Sequence, residues 1–474
     1  MFFNSLDFAI FLPLVFAGYW LLGSKRVKIQ NMLLLVASYV FYAWWDWRFL
    51  VLIFASTSID YFVGLALKWE GDKIKRKLLL FVSIAANIGM LGFFKYFNFF
   101  VDNFTSAFSF FGASIEADSL DIILPVGISF YTFQTLSYTV DVYKRKFTPT
   151  SNFIDFSAFV SFFPQLVAGP IERAKDLLPQ FSKSRVFNFH QARDGMRQIL
   201  WGLFMKVVIA DNCGVIVNEI FSNSQELSGS TLLLGTFLFS FQIYGDFAGY
   251  SNIAIGTSRL FGFNLKQNFS FPYFSSSIAE FWSKWHMSLT GWFKEYLYIP
   301  LGGNRGGLLK TLRNVGIVFL VSGFWHGAKW TFIVWGAINA LLFIPSLYGV
   351  KRLKDDSKSG LIEIIKRPIR ILLTFSLITL SWVFFRADSI NQAALIFGEI
   401  FSTTSLTLPT ILPKTVLLLI VVFAVIEWVG KGKSHALEGI GRLETPIRWM
   451  CYLLIFATLF FFSNSTQTFI YFQF

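Results

Sequence analysis

Residues 322–330 read Ser322-Gly-Phe-Trp-His-Gly-Ala-Lys-Trp330, with His326 wedged between two apolar runs and almost no room for a loop. One run, Thr311 to Trp325, rises from a basic stretch, and the other, Gly327 to Val350, returns to Lys351 and Arg352. Fifteen residues of helix rise about 22 Å at roughly 1.5 Å each, short of a bilayer hydrocarbon core of about 30 Å. This reading puts an imidazole inside the membrane, in a turn closed by Gly327. Ionisable groups at that depth are costly and point to function. His326 is therefore the first candidate for chemistry, and the competing reading is a histidine that only ties two helices together.

The rest of the chain has the same character. Of 474 residues, 54% are hydrophobic and 19% aromatic, with 60 Phe, and only 15% are charged, a balance foreign to soluble domains of this length. The net charge of +13 would suggest a nucleic-acid partner in a soluble protein. Here the Lys and Arg residues fall in alternate loops, at 25–28, 68–77, 144–146, 173–197, 305–313, 351–370 and 431–448, whereas 101–121 has four acids and no Lys or Arg. That alternation is the positive-inside pattern. It assigns the basic loops to the cytoplasm, leaves both termini outside, and argues against nucleic acid.

The expected fold is an all-α polytopic integral membrane protein of about 11–12 transmembrane helices, with re-entrant and interfacial helices around a central tunnel. Spans are expected near 7–22, 29–45, 49–67, 78–100, 121–143, 196–220, 230–258, 311–325, 328–348, 369–386, 411–429 and 447–465. Met1 to Leu22 has no basic leader and no small-residue cleavage site, and is read as the first span. Asn152 to Ile171, interrupted by Pro164 and Gly169-Pro170, is expected to be re-entrant, its free backbone groups covered by protein. Phe271 to Leu301 is expected as an interfacial or half-inserted helix with Trp282, Trp285 and Trp292 at the polar boundary. Ala387 to Leu412 reads as a short external amphipathic layer. Residues 1–474 show no internal repeat and are read as a single membrane domain.

The second informative histidine is His286, in Phe281-Trp-Ser-Lys-Trp-His-Met-Ser-Leu289. Two imidazoles on approaching elements would line one route through the bilayer; the plainer reading packs His286 among tryptophans. Further polar groups at depth are Asp246, in Tyr244-Gly-Asp-Phe-Ala-Gly-Tyr-Ser251, and Tyr131 and Gln134, in Gly127-Ile-Ser-Phe-Tyr-Thr-Phe-Gln134. For Asp246, helix–helix bonding and tunnel lining weigh equally. Trp325 adjoins His326. Gly302-Gly-Asn-Arg-Gly-Gly307 lacks the Lys-Ser/Thr of a phosphate-binding loop, but offers backbone donors and Arg305 near the membrane face. Arg305 there suits a phosphate-bearing donor or, more plainly, anionic lipid. His190 and His435 are read as solvated loop residues. Four His and two Cys, Cys213 and Cys451, make no metal site, haem site or disulfide framework.

These strings resemble the membrane-bound O-acyltransferase family, closest to its bacterial alginate O-acetyltransferase and teichoic acid D-alanine exporter branch. The resemblance also runs through Pro125–Gln134, Phe162–Ile171, Tyr296–Arg305, Trp382-Val-Phe-Phe-Arg386 and Phe469–Phe474. Ala248 and Asn252 stand where that branch often has Ser and Asp. The resemblance implies that His326 is the catalytic intramembrane histidine and that His286 holds the second polar position. It further implies acyl transfer from a cytoplasmic thioester, acetyl-CoA or a similar short donor, with no resident cofactor. The acceptor would be an exported or cell-surface polysaccharide, reached through an extracytoplasmic acetyltransferase partner, at a bacterial cytoplasmic (inner) membrane. On this reading neutral His326 acts as general base. The alternative of another class is a transporter or flippase for a polysaccharide or lipid precursor, whose polar groups bind cargo without chemistry.

Overall fold

The computed structural model describes residues 1–112, 119–167, 169–349, 361–463 and 467–472. Glu116 and Asp118 of the acidic loop, the basic residues between 351 and 358, and the last two residues lie outside the described ones. Among the described residues every regular element is helical. Among the described residues seven helices are long and apolar enough to cross a membrane, and three shorter apolar helices, Leu6–Leu21, Val27–Ala43 and Thr445–Phe461, accompany them. The protein is an all-α polytopic membrane protein. Its contacts fall into two compact units, Met1–Met196 with Ala254–Lys266, and Arg197–Ile253 with Gln267–Phe474.

The first unit holds α1 (Leu6–Leu21), α2 (Val27–Ala43), α3 (Leu50–Trp69), α4 (Lys73–Leu91), α5 (Phe97–Phe110), α6 (Ile128–Tyr143), α7 (Phe153–Ser161), α8 (Phe163–Leu166) and α9 (Ala174–Phe181). Side-chain oxygens open several of them: Ser5 accepts from the Phe8 amide, Asp72 from Ile74 and Lys75, and Asn152 from Ile154 and Asp155. Between α4 and α5 the helix widens by one π-turn at Gly92–Tyr96 and continues, so the expected span at 78–100 is part of one rod from Lys73 to Phe110.

The expected span at 121–143 is shorter, because α6 begins only at Ile128. Pro125 and the left-handed Gly127 (φ 77°) turn the chain there, and a Cβ at 127 would collide with the Leu166 carbonyl. The segment from 152 breaks at Phe162, as expected, but Pro164 does not cause the break. It sits in the first turn of α8, where its missing N–H costs nothing. The broken end is covered by protein: the Phe163 amide donates to Ser38 Oγ at 3.0 Å.

The second unit follows α10 (Phe189–Leu203) through a π-turn at Phe204–Ala210 into α11 (Asp211–Ser222), then α12 (Gly229–Leu260). Two of the unit boundaries fall inside α10 and α12, and the third follows Lys266, beyond the end of α12. The remaining helices are α13 (Ile278–Lys284), α14 (Met287–Phe293), α15 (Leu308–His326), α16 (Trp330–Gly349), α17 (Leu361–Arg386), α18 (Ile390–Ile400), α19 (Lys414–Gly430) and α20 (Thr445–Phe461). The expected interfacial helix over 271–301 is instead two short helices broken at Trp285-His286, with Trp285 only 2% exposed rather than at a polar boundary.

Helices α15 and α16 form a hairpin with a three-residue turn. Gly323 faces the Phe332 carbonyl and Gly336 faces the Phe319 carbonyl so closely that a Cβ at either position would overlap the opposite backbone. Small residues let two helices pack this tightly. Gly327 is extended (φ −162°), and a Cβ there would run into the Phe332 ring. Its role is space, not a left-handed turn.

Candidate functional site

Helix α15 starts at Leu308 behind Gly307 (φ 89°), three residues before the expected Thr311, and runs to His326. Its 19 residues rise about 28 Å, close to a full hydrocarbon thickness. The helix is thus long enough to cross, which corrects the depth argument drawn from a shorter run. What isolates the imidazole is packing. His326 is 4% exposed and sits among the rings of Trp335 and Phe385, each 5.3 Å away, Tyr471 at 5.6 Å and Trp325 at 4.8 Å. Trp335 in turn stacks on Trp382 at 5.6 Å. Three separated strings of the sequence, 324–327, 382–386 and 469–471, therefore meet at one histidine.

His286 is the residue at which α13 and α14 break. It holds a left-handed backbone (φ 43°, ψ 53°) that few non-glycine residues adopt, although His tolerates it better than most. Strain of this kind, of order 1–3 kcal/mol, collects at functional sites. The side chain is buried, edge-on to Phe247 at 4.6 Å and 6.1 Å from the Trp325 ring. Its Nδ1 lies 3.0 Å from Asn268 Oδ1.

That contact defines the tautomer. The Ser288 backbone N–H (3.3 Å) and hydroxyl (2.9 Å) donate to the same Asn268 atom, and the Asn268 Nδ2 donates to Ser251 Oγ at 3.1 Å. A backbone N–H needs an acceptor, so the shared atom is the amide oxygen, and His286 must donate from Nδ1. Nε2 is then the lone-pair nitrogen. Burial pushes the His286 imidazolium down to about 3, so the ring is neutral at ordinary pH.

Both histidines line one cavity of about 270 Å³, together with Trp282, Thr290, Ser322 and Lys294. Lys294 is exposed, so the cavity runs from a cationic rim to two buried imidazoles. Tyr298, also on its wall, underlies the Gly302–Gly307 turn, where Gly303 packs on its ring. Four glycines of that turn have positive φ, from 58° to 111°, and its Arg305 is exposed.

The remaining expected site residues stand elsewhere. Trp325 touches both histidine rings but does not face the cavity. Asp246 lies in a buried ion triad, 2.7 Å from Lys206, which also reaches Asp211 at 2.8 Å. Tyr131 and Gln134 belong to the first unit, both buried, and Gln134 Nε2 donates to the Phe159 carbonyl at 2.8 Å, tying α6 to α7. His190 is exposed, but His435 is 2% exposed, which corrects its reading as a solvated residue.

Asn268, Lys206 and Tyr471 are absent from the sequence reading of the site. A lysine inside the apolar run 196–220 is itself a signal of intramembrane function or pairing. Asn268 and Tyr471 carry no comparable local mark. A second unread cluster sits in the first unit, where Asp60 takes bonds from Ser83, Asn87 (2.8 Å) and Thr139 (3.0 Å) and ties α3, α4 and α6 together.

Asn268 yields a direct test. Asn268→Leu removes the acceptor that orients His286, a loss of roughly 1–3 kcal/mol or about 5- to 150-fold, and we expect kcat to fall by that order. Asn268→Asp keeps the acceptor and adds a charge that favours imidazolium, so activity should fall off at a higher pH on the acid side than in the wild type. Identical pH–rate profiles for wild type and Asn268→Asp would remove Asn268 from this role.

Comparison with known proteins gives a consistent picture. The family model described as MBOAT, membrane-bound O-acyltransferase family, matches residues 142–385, which include both histidines. A probable alginate O-acetylase AlgI of Pseudomonas putida is 40% identical over 396 residues, covering 83% of this chain and 78% of that protein. A peptidoglycan O-acetyltransferase of Helicobacter pylori is 33% identical over 513 aligned positions, covering 98% and 95%. A teichoic acid D-alanyltransferase of Streptococcus thermophilus is 28% identical over 284 residues, covering 55% and 68%.

Proposed function

The chain belongs to the membrane-bound O-acyltransferase family, and from that membership we propose that it moves an acetyl group from a cytoplasmic thioester across the membrane for O-acetylation of an exported or cell-surface polysaccharide. The observation that carries the proposal is the pair of buried imidazoles on the wall of one cavity whose rim holds Lys294. The relatives named for alginate and peptidoglycan O-acetylation support acetyl as the group and a polysaccharide as its destination.

In this reading acetyl-CoA enters at Lys294, whose ammonium suits a phosphate-bearing carrier. The acceptor hydroxyl gives its proton to a neutral nitrogen of His326 as its oxygen attacks the thioester carbonyl. The tetrahedral oxyanion collapses, the C–S bond breaks, and the thiolate takes the proton from His326. General-base help of this kind contributes about 10²- to 10⁴-fold. His286 borders the donor's path, with Nε2 as its lone-pair atom. The acceptor would be a hydroxyl on an extracytoplasmic acetyltransferase partner or on the polysaccharide itself. The setting is the bacterial cytoplasmic (inner) membrane, with both termini outside as the loop charges imply. Transport of a polysaccharide or lipid precursor without chemistry is not favoured, since the relatives that cover most of the chain are named for group transfer.

The test uses vesicles holding the full chain in one orientation. Acetyl-CoA supplied only on the basic-loop side should support acetylation of an acceptor held on the other side. A cysteine placed at residue 2 should be labelled from the acceptor's side. His286→Ala should weaken thioester use more than acceptor binding. Donor used only from the acceptor's own side would defeat the through-membrane relay, even with His326 retained as base.

A further inference from the structure

A second cavity, of about 350 Å³, shares no lining residue with the histidine cavity. It lies among α12, the turn at Pro272–Phe274, α17 and α19. Its inner wall is aromatic: Phe375 stands edge-on to Tyr273 at 5.0 Å, with Phe241 and Phe423 beside them. The one carboxyl on the wall, Glu427, is buried and accepts the hydroxyl of Tyr244, also on the wall, at 2.6 Å. The cavity opens between Pro368, Leu372 and Trp428, all exposed.

The opening carries positive charge. Lys431 lies over the Trp428 ring at 4.9 Å, and Trp428 packs against Phe274 at 5.1 Å. Burial lowers the Lys431 ammonium from its ordinary value, and repulsion from Arg367 and Lys284 lowers it further against the attraction of Glu280. Arg367 directly precedes Pro368 of the cavity wall and Lys431 covers Trp428, so both cations stand at this opening. Glu280 is already engaged, by Lys284 at 2.6 Å and by the Ser276 amide and hydroxyl at 2.8 Å. Among the described residues neither Arg367 nor Lys431 forms an ion pair. Both lie in the basic stretches 351–370 and 431–448 that the charge pattern assigns to the cytoplasm, the side whose leaflet carries anionic lipid.

We propose that this cavity binds an anionic phospholipid, its acyl chain among Phe241, Tyr273, Phe375 and Phe423 and its phosphate on Arg367 and Lys431. A free anion would make no use of an aromatic cavity, and a neutral hydrocarbon would make no use of two cations. A phospholipid satisfies both, and Trp428 marks the boundary between them in the manner of interfacial tryptophans.

The experiment reads lipid retention by native mass spectrometry after the full chain is taken from vesicles of equal phosphatidylglycerol and phosphatidylcholine. Wild type should retain phosphatidylglycerol in roughly tenfold or greater preference, the scale expected for two basic side chains at a membrane surface. Arg367→Gln with Lys431→Gln, both outside the acyl-transfer cavity, should abolish the preference while total retained lipid persists. Ala424→Trp, which fills the cavity from α19, should lower retention of both lipids. Thermal unfolding of each variant, matched to wild type, excludes misfolding as the cause. Equal retention of the two lipids by wild type would overturn the proposal, as would unchanged phosphatidylglycerol retention in the double variant or in a normally folded Ala424→Trp. Displacement of the lipid by inorganic phosphate alone would show a simple anion site and overturn it equally.

Discussion

His326→Ala should reduce acetylation of the exported polysaccharide by roughly 10²- to 10⁴-fold, the contribution of a positioned general base, while the protein still inserts and accumulates. The imidazole is held by ring contacts to Trp335, Phe385, Trp325 and Tyr471, whereas the α15–α16 hairpin is held by Gly323 and Gly336 lying against backbone. Removing the ring should therefore leave the hairpin closed. A void among four aromatic rings does weaken packing, so His326→Phe, which refills the volume without a base, is the companion variant. Both should lose activity, and both should elute from size exclusion as wild type does. Wild-type acetyl content in cells that express either variant alone would sink the assignment of His326 as base.

The largest expected loss of stability comes from Lys206→Met. The ammonium lies between the Asp211 and Asp246 carboxylates at 2.8 and 2.7 Å, and its side chain is 1% exposed. Taking the one cation from a buried group of charges typically costs about 3–5 kcal/mol, because the carboxylates are left uncompensated. The damage should also reach the chemistry. Lys206 donates to the Gln467 carbonyl at 2.9 Å and Asp246 accepts the Ile470 amide at 2.6 Å, so the triad ties down the segment that brings Tyr471 to His326. The melting temperature in detergent should drop, and surviving protein should show reduced turnover. Lys206→Met with Asp211→Asn and Asp246→Asn should regain part of the stability. A melting temperature unchanged by Lys206→Met would show that the triad does not hold this segment.

Much of the site was legible because its signals are local. An imidazole between two apolar runs, and a second within a tryptophan-rich segment, can be read from neighbours a few residues away. The strings around both, with those at 382–386 and 469–474, carried the family resemblance, and the match over 142–385 agrees with it. Boundaries were less legible. The start of α15 depends on the left-handed backbone of Gly307 rather than on hydropathy, and the start of α6 on Gly127. Both are single-residue effects that an apolar window averages away.

By itself, then, the sequence determined the membrane class, the helix hairpin that ends in His326, and the candidacy of two histidines. These follow from hydrophobic content and from the cost of an ionisable group in an apolar run, both of which add up along the chain. Only the tertiary structure decided how those histidines are held. Asn268 sets the tautomer of His286 from 18 positions away, and Tyr471 closes on His326 because Ile470 is anchored to Asp246 across 224 positions. A hydrogen bond or a ring contact depends on distance in space and on the geometry of both partners. Sequence periodicity carries neither, so the isolation of His326 became visible as packing among aromatic rings rather than as depth in a membrane.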